Sequence, residues 1–453
     1  MADLNLSDIQ GFILHSYKMP FVRHFVLRIN SADGAKHFIG GLVNGDSASN
    51  PQIASASPWE VKPDYCLNIG LTYEGLKALK LPADSLSSFP NEFVQGSVAS
   101  AEKIGDTGDS APQNWKGKLG TPEVHVLLSL FAQRSDVLES VTTILRSSFT
   151  QQDAIAELSH HDGQALPDDR NHFGYKDGIS QPTIEGGPQV EPPDPLGSVP
   201  ACQFLLGYPI TAPTYPVPTP QELGFNGSFV AFLILQQDVV GFEKFLHENA
   251  PNLGMSVEKL AAKICGRWRN GVPLVLSPET DDPQTPIAPD QMNNFDYVSN
   301  GDNQHKFNDE RGYRCPIGSH IRRTNPRSQK VAGNSVNLHR LVRRGISYGP
   351  PYDPAVPNDG IERGILGMFI CASIRYQFEF LMTEWVNNGS FTPGLRGTKD
   401  PIIGDNTPDD SKFVIPTLGG PKIVNGFSRF VTTRGSAYCF LPSITALKYM
   451  ANL

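Results

Sequence analysis

"SFVAFLILQQ" (228–237) runs almost directly into "VVGFEKFLHEN" (239–249), and the pair decides the fold class. The first run is a short continuous apolar stretch rich in Phe, Ile and Leu, which reads as a buried strand. The second returns its apolar residues at helical spacing, with charged residues between them. The pairing recurs downstream, where "GMFICASI" (367–374) leads into "YQFEFLMTEWVNN" (376–388). In the first half, "FVRHFVLRI" (21–29), "YCLNIGLT" (65–72) and "VHVLLSLFA" (124–132) read as strands. Helical patterns follow two of them, "YEGLKALK" (73–80) and "SDVLESVTTILRSSF" (135–149). The same rhythm in both halves predicts an α+β protein made of two similar modules, each a sheet with helices packed on it.

At 453 residues the chain exceeds one ordinary core. A Pro-rich stretch (182–220) breaks regular structure between the halves. The expected division is a first module at 1–190, a connection at 191–225 and a second module at 226–453. A second irregular stretch, from "SPETDDPQTPIAPD" (277–290) to "NDERGYRCPIGS" (308–319), is of the length that usually carries function or disorder.

Charged residues make up 19% and hydrophobic residues 39%, a globular balance. The net charge is −8 and no basic stripe is present, which argues against a nucleic-acid partner. No apolar run reaches the roughly 18 residues of a membrane-spanning helix, so no membrane partner is expected. "MADLNLSDIQGFIL" (1–14) lacks the basic start and apolar core of a secretory signal. The six cysteines are scattered without a C-x-x-C pair, which disfavours a zinc ribbon. Reduced thiols and a cytoplasmic setting are the expectation; oligomerisation is open and not predicted.

Three segments could carry chemistry. In "HFGYKDGISQP" (172–182), Gly174 and Gly178 bracket Asp177; glycine lets a chain approach a ligand closely, although Gly and Asp also make ordinary turns. In "RCPIGSHIRRTNPR" (314–327), His320 is a candidate metal ligand, and Arg323 and Arg327 suit bidentate binding of carboxylates such as haem propionates; a capping histidine in a solvated basic turn is the alternative. "HRLVRRGISYGP" (339–350) reads as a strand end entering a Gly turn, with one arginine directed into a cavity and its neighbour away. "LSHHDG" (158–163) offers His160, His161 and Asp162 as ligands of a metal-dependent hydrolase, but adjacent strand residues face opposite ways.

Singly, each of these segments reads better as structure. In combination, "FGYKDGISQP", "CPIGSHIRRTNPR", "LVRRGISYG", "LGMFICASIRYQFEF" and the terminal "FVTTRGSAYCFLPS" resemble the dye-decolorizing peroxidases, in the order that family shows them. "DIQGFIL", "YCLNIGLTYEGLKAL" and "EVHVLLSLFA" extend the resemblance over most of the chain, closest to the longer fungal and advanced bacterial members. The resemblance implies two ferredoxin-like modules with antiparallel sheets, of the dimeric α/β barrel type, and one haem b per chain held mainly by the second. It implies a peroxidase that reduces hydrogen peroxide through a ferryl intermediate and oxidises dyes, phenolics or similar small aromatic donors. Carried over by residue, Asp177 is the distal acid–base, Arg343 the distal arginine with Arg344 as fallback, and His320 the proximal iron ligand. Asp400, in "KDPIIG", is the carboxylate expected on the proximal imidazole. Bulky donors would pass electrons through aromatic residues: Tyr348, expected near the haem five residues after Arg343, and Trp385 as the surface candidate, with Tyr313 on proximity alone. Phe225 and Leu233 stand where relatives are expected to carry basic residues. The alternative is a haem storage, delivery or iron-release protein on the same fold, with little peroxide turnover.

Overall fold

The computed structural model describes residues 4–44, 50–188, 196–209, 215–298, 308–329, 331, 336–392 and 394–453. The first module runs β1 (Phe21–Ile29), α1 (Ala32–Asn44), β2 (Tyr65–Leu71), β3 (Val126–Ala132), α2 (Ser135–Phe149) and β4 (Ile155–Gln164). The second opens with β5 (Ser228–Gln237) and α3 (Val239–Asn249), then α4 (Val257–Cys265) and α5 (His320–Thr324). It continues with β6 (Val342–Tyr348) and β7 (Gly364–Cys371) and closes with β8 (Val431–Leu441). The apolar runs read as strands are strands, while polar β4 gave no such signal.

Two local readings change. Gly345 lies inside β6, opposite Gly367 of β7, so the strand does not stop there; its turn comes at Gly349, whose φ of 82° needs glycine. After β7 the chain winds more widely than an α-helix, through Ile374–Glu379 and Leu381–Val386, with the Ser373 hydroxyl accepting from Tyr376 N at 3.3 Å at the start.

The strands form one antiparallel sheet in the order β4-β1-β3-β2-β8-β5-β7-β6. Each half repeats one pattern, its last strand beside its first, as in ferredoxin-like modules. The halves join where Phe440 of β8 pairs with Leu71 of β2. The outer strands also meet: a Cβ on Gly163 of β4 would lie 2.4 Å from Ile346 Cγ2 and 3.2 Å from Ser347 O of β6. The sheet therefore curls into a barrel, and a bare Gly163 lets its edges touch.

Alternation along the strands supplies two cores. Val22 and Val26 of β1 point into the barrel with Phe232, Ile234, Met368 and Ile370. Phe25 and Leu27 face outward against Phe38, Leu42, Leu145 and Phe149 of the helices. All six cysteines are buried free thiols. Leu233 fills the outer core and Phe225 stacks on Tyr208 at 5.3 Å, so both side chains serve packing. No helix among the described residues is long and apolar enough to cross a membrane.

Candidate active site

Short α5 starts at His320. Ser319 before it donates to Lys263 O at 2.5 Å, anchoring the helix to α4. Beneath it, the buried pair Arg322–Asp309 (2.9 Å) organises the preceding loop, with Asp309 also accepting from Arg314 N and Cys315 N at 2.9 Å. His320 Nδ1 lies 3.0 Å from Asp400 Oδ2 and 3.2 Å from Oδ1. Asp400 Oδ1 accepts in addition from Ile402 N (2.9 Å) and Ile403 N (3.0 Å). Burial alone would push this carboxyl up, but the charge and hydrogen bond of His320 and the two amides outweigh it and hold it below the usual carboxylate range. An ionised Asp400 only accepts, so Nδ1 carries the imidazole proton and Nε2 keeps its lone pair. The His320 side chain is 21% exposed and its Asp400 partner 0%.

Asp177 sits in a loop strapped down on three sides. Lys176 N donates to Arg269 O at 2.9 Å and Asp177 N to Asp169 O at 2.8 Å. Gln181 grips β6, donating to Arg343 O (2.9 Å) and accepting from Arg343 N (3.1 Å), the two bonds a neighbouring strand would make. Gly174 and Gly178 have φ of 84° and 74°. Around Gly178 a Cβ would meet nothing within 4 Å, so its glycine serves the backbone angle rather than space. Gly178 N donates to Asp177 Oδ1 at 2.6 Å.

Arg343 faces that carboxylate, its Nη1 4.0 Å from Asp177 Oδ1 and its Nη2 donating to Ser180 O at 3.1 Å. Both side chains remain over 40% exposed, so this is a loose pair beside open space. Arg344 points the other way and binds Phe12 O (2.7 Å) and Ile13 O (3.2 Å), with burial bringing its pKa down to about 10. Strand alternation thus separates the two arginines: Arg344 pins the N-terminal segment and Arg343 is the one beside Asp177.

The face of β6 and β7 beside Arg343 is bare and apolar. Gly345 is exposed, opposite Gly367, and Leu235, Ile365 and Phe369 around them are only partly buried. Leu341, two residues before Arg343, packs on the cluster that holds Ile317 and Ile403, which flank His320 and Asp400. On the other side, Gly266 abuts Ile321, and Gly271 abuts Ile179 of the Asp177 loop. Asp177 and Arg343 thus form one pair, and His320 and Asp400 another. An imidazole with a free Nε2, an uncovered apolar face and a cation at its edge suit a flat apolar macrocycle with polar edges, so these residues fit a haem.

Other expectations are corrected. Arg323 is fully buried and spends its guanidinium on carbonyl oxygens: Asn388 O (2.7 Å), Thr398 O (2.8 Å) and Trp385 O. Arg327 is likewise buried on Asn293 and Phe295 carbonyls. Both arginines brace loops rather than present a free fork to a propionate. Trp385 is 2% exposed, packed against His339, Phe380 and Phe391, and is no surface residue. Tyr348 stands an odd number of residues from Arg343 and so faces the barrel core, its hydroxyl on Glu362 at 3.0 Å. Tyr313 is 37% exposed. His160, His161 and Asp162 split between Glu157, Ser159 and Arg23, and no group of three potential metal ligands exists among the described residues. The Gln181 clamp escaped the sequence reading, although its place just beyond the Asp177 loop was a signal.

Comparison with known proteins agrees with this fold. Residues 8–167 match the model of the DyP dimeric alpha+beta barrel domain. Peroxidase 2 of Mycetinis scorodonius is 31% identical over 98% of this chain and 87% of its own. The multifunctional dye peroxidase DyP2 of an Amycolatopsis species is 27% identical over 98% of this chain and 95% of its own. Among solved structures, a dye-decolorizing peroxidase in complex with 2,6-dimethoxyphenol superposes with a TM-score of 0.83 at 29% identity, covering 99% of this chain and 100% of that one. The fungal DyP-type peroxidase of Auricularia auricula-judae superposes at 0.82 and 26% identity, with 100% of both chains covered. Barrel, loop and near-complete coverage by such relatives lead to one conclusion: the chain belongs to the dye-decolorizing peroxidases, which are haem enzymes.

Proposed function

We propose that this peroxidase reduces hydrogen peroxide using one haem b per chain, ligated by His320 Nε2, and oxidises bulky dyes, phenolics or similar aromatic donors. The observation that carries the reading is that Asp177 is paired with Arg343 and His320 with Asp400. When bound, haem supplies the redox chemistry that side chains lack.

Asp177 takes the proton from one peroxide oxygen onto its carboxylate and returns it to the other, which leaves as water. General acid–base help of this kind contributes about 10²–10⁴-fold. The Gly178 amide on Oδ1 orients the carboxylate for that exchange. Arg343 stabilises negative charge on the departing oxygen. Asp400 keeps the His320 proton on Nδ1, so Nε2 stays a donor, and strengthens its basicity. The second module, placed at 226–453, supplies the ligand, with 1–190 contributing the Asp177 loop and 191–225 joining them.

Asp177→Asn tests the reading. The variant keeps its haem spectrum, while stopped-flow reaction with peroxide slows by about 10²-fold or more. Unchanged kinetics would remove Asp177 from this role, and a slow bleaching of the parent by peroxide would favour a haem carrier instead.

A further inference from the structure

β6 is the last strand of the sheet order, with β7 beside it. In an antiparallel pair, residues alternate between exchanging both backbone bonds with the partner and turning both groups away from it. Arg343, opposite Phe369, is of the second kind, since its N–H and C=O turn to the edge of the sheet. Edge groups of this sort need a partner. Gln181 supplies one. Its carboxamide accepts from Arg343 N at 3.1 Å and donates to Arg343 O at 2.9 Å. A primary amide carries donor and acceptor side by side, so one side chain does the work of a strand. Arg343 O also accepts from Arg344 Nη1 at 3.3 Å.

The segment around Gln181 is itself held. Pro182 restricts the residue before it to an extended backbone. Thr183 and Ile184 then pair with Ser198 and Val199, and Ile184 enters the barrel core with Leu14 and Val342. Upstream, Ile179 lies against Gly271, where an added Cβ would come within 2.7 Å of it.

The arginine side chain returns to the same segment. Arg343 Nη2 donates to Ser180 O at 3.1 Å. Residues 180 and 181 therefore hold Arg343 at both ends, the backbone on the Gln181 amide and the guanidinium on the Ser180 carbonyl. That bracket leaves Nη1 turned to Asp177, 4.0 Å from Oδ1. Asp177 is only four residues before Gln181, so loop and strand move as one piece.

We propose that Gln181 is a positioning residue for the peroxide reaction: it locks the Asp177 loop to β6 and so sets the distance between Asp177 and the Arg343 guanidinium. The inference rests on the roles given above to Asp177 and Arg343, and adds what holds them in register.

Gln181→Met tests it, because methionine keeps the length of the side chain and removes both hydrogen bonds. Hydrogen exchange in the haem-free protein reads the clamp directly. The Arg343 amide exchanges about three- to ten-fold faster in the variant, the worth of one net hydrogen bond, while the Arg344 amide, bonded within the β6–β7 ladder, is unchanged. In the haem-loaded protein, stopped-flow reaction with peroxide slows about ten-fold, short of the roughly 10²–10³-fold expected on losing the Arg343 guanidinium itself. Arg343→Ala, at a side chain 42% exposed and safe for folding, provides the second background. There Gln181→Met slows the reaction further by less than about two-fold, since a residue that acts through Arg343 has nothing left to position. Equal slowing in both backgrounds would mean a general structural role and overturn the proposal. So would an unaltered Arg343 amide, or a peroxide rate that Gln181→Met leaves unchanged while Arg343→Ala is slow. Arg343→Ala reacting as the parent does would instead refute the role given to Arg343, a result distinct from failure of the clamp.

Discussion

Replacing Asp400 by Asn changes one atom and reverses the tautomer of His320. In the folded chain, Asp400 Oδ1 is held by two amides, Ile402 N at 2.9 Å and Ile403 N at 3.0 Å. An asparagine carbonyl takes that position, because amides demand an acceptor. Its NH₂ group then falls where Oδ2 stood, 3.0 Å from His320 Nδ1. Two donors cannot face each other, so Nδ1 gives up its proton and Nε2 becomes N–H, with no lone pair for iron. The lost bond is charge-assisted and worth about 1.5–3 kcal/mol net. That agrees with the roughly 10- to 100-fold loss of metal affinity on removing a carboxylate behind a ligating histidine, about 1.4–2.8 kcal/mol. Competition for haem against a high-affinity acceptor protein measures the affinity, and ¹⁵N NMR of haem-free protein reads the tautomer directly. Haem loss within that range, together with Nε2–H in the variant and Nδ1–H in the parent, is the expected result. A variant that keeps Nδ1–H and full haem affinity refutes the reasoning.

The same pair sets an acid limit in the haem-free protein. Asp400 titrates below an unfolded Asp near 3.9, so its stabilisation is complete above about pH 4 and is lost as pH falls through its depressed value; an acid-unfolding curve of the haem-free protein that Asp400→Asn leaves unaltered would contradict this. Asp106 shows the opposite sign. Burial pushes it up to about 6 despite the Thr433 hydrogen bond and Arg429, so folding weakens as pH rises from about 4 to 6, by at most about 3 kcal/mol. Asp106→Asn should flatten the melting temperature over that window and raise it at pH 8, and an unchanged profile would clear Asp106. Gly163→Ala forces a methyl within 2.4 Å of Ile346 and 2.9 Å of Val22 at the barrel closure; overpacking of this kind costs about 1–3 kcal/mol, read as a lower melting temperature. An unaffected melt would mean the strand edges do not meet there.

Much of the fold was written locally. β5 and α3, and the strands β1, β2, β3 and β7, announce themselves because apolar periodicity is a property of a dozen adjacent residues. Strand β4 did not, since "IAELSHHDGQ" (155–164) is polar; it is a strand because β1 supplies its hydrogen-bond partners. Parity along a strand was also available in the sequence and went unused for Tyr348: an odd spacing from Arg343 already places it on the other face. For the adjacent arginines parity guarantees that only one reaches the cavity, but not which.

By itself the sequence determined the repeated strand–helix modules, the Asp between two glycines, and a histidine beside a run of arginines, because each is local in the chain. Only the tertiary structure decided what those residues touch. It brought Asp400 to His320 from 80 residues away and seated Gln181 on Arg343. It closed the barrel over a bare Gly163, and buried Arg323, Arg327 and Trp385. Burial and pairing depend on which distant segments fold against one another, and a charged or aromatic side chain reads the same in sequence whether it braces a loop or faces a ligand.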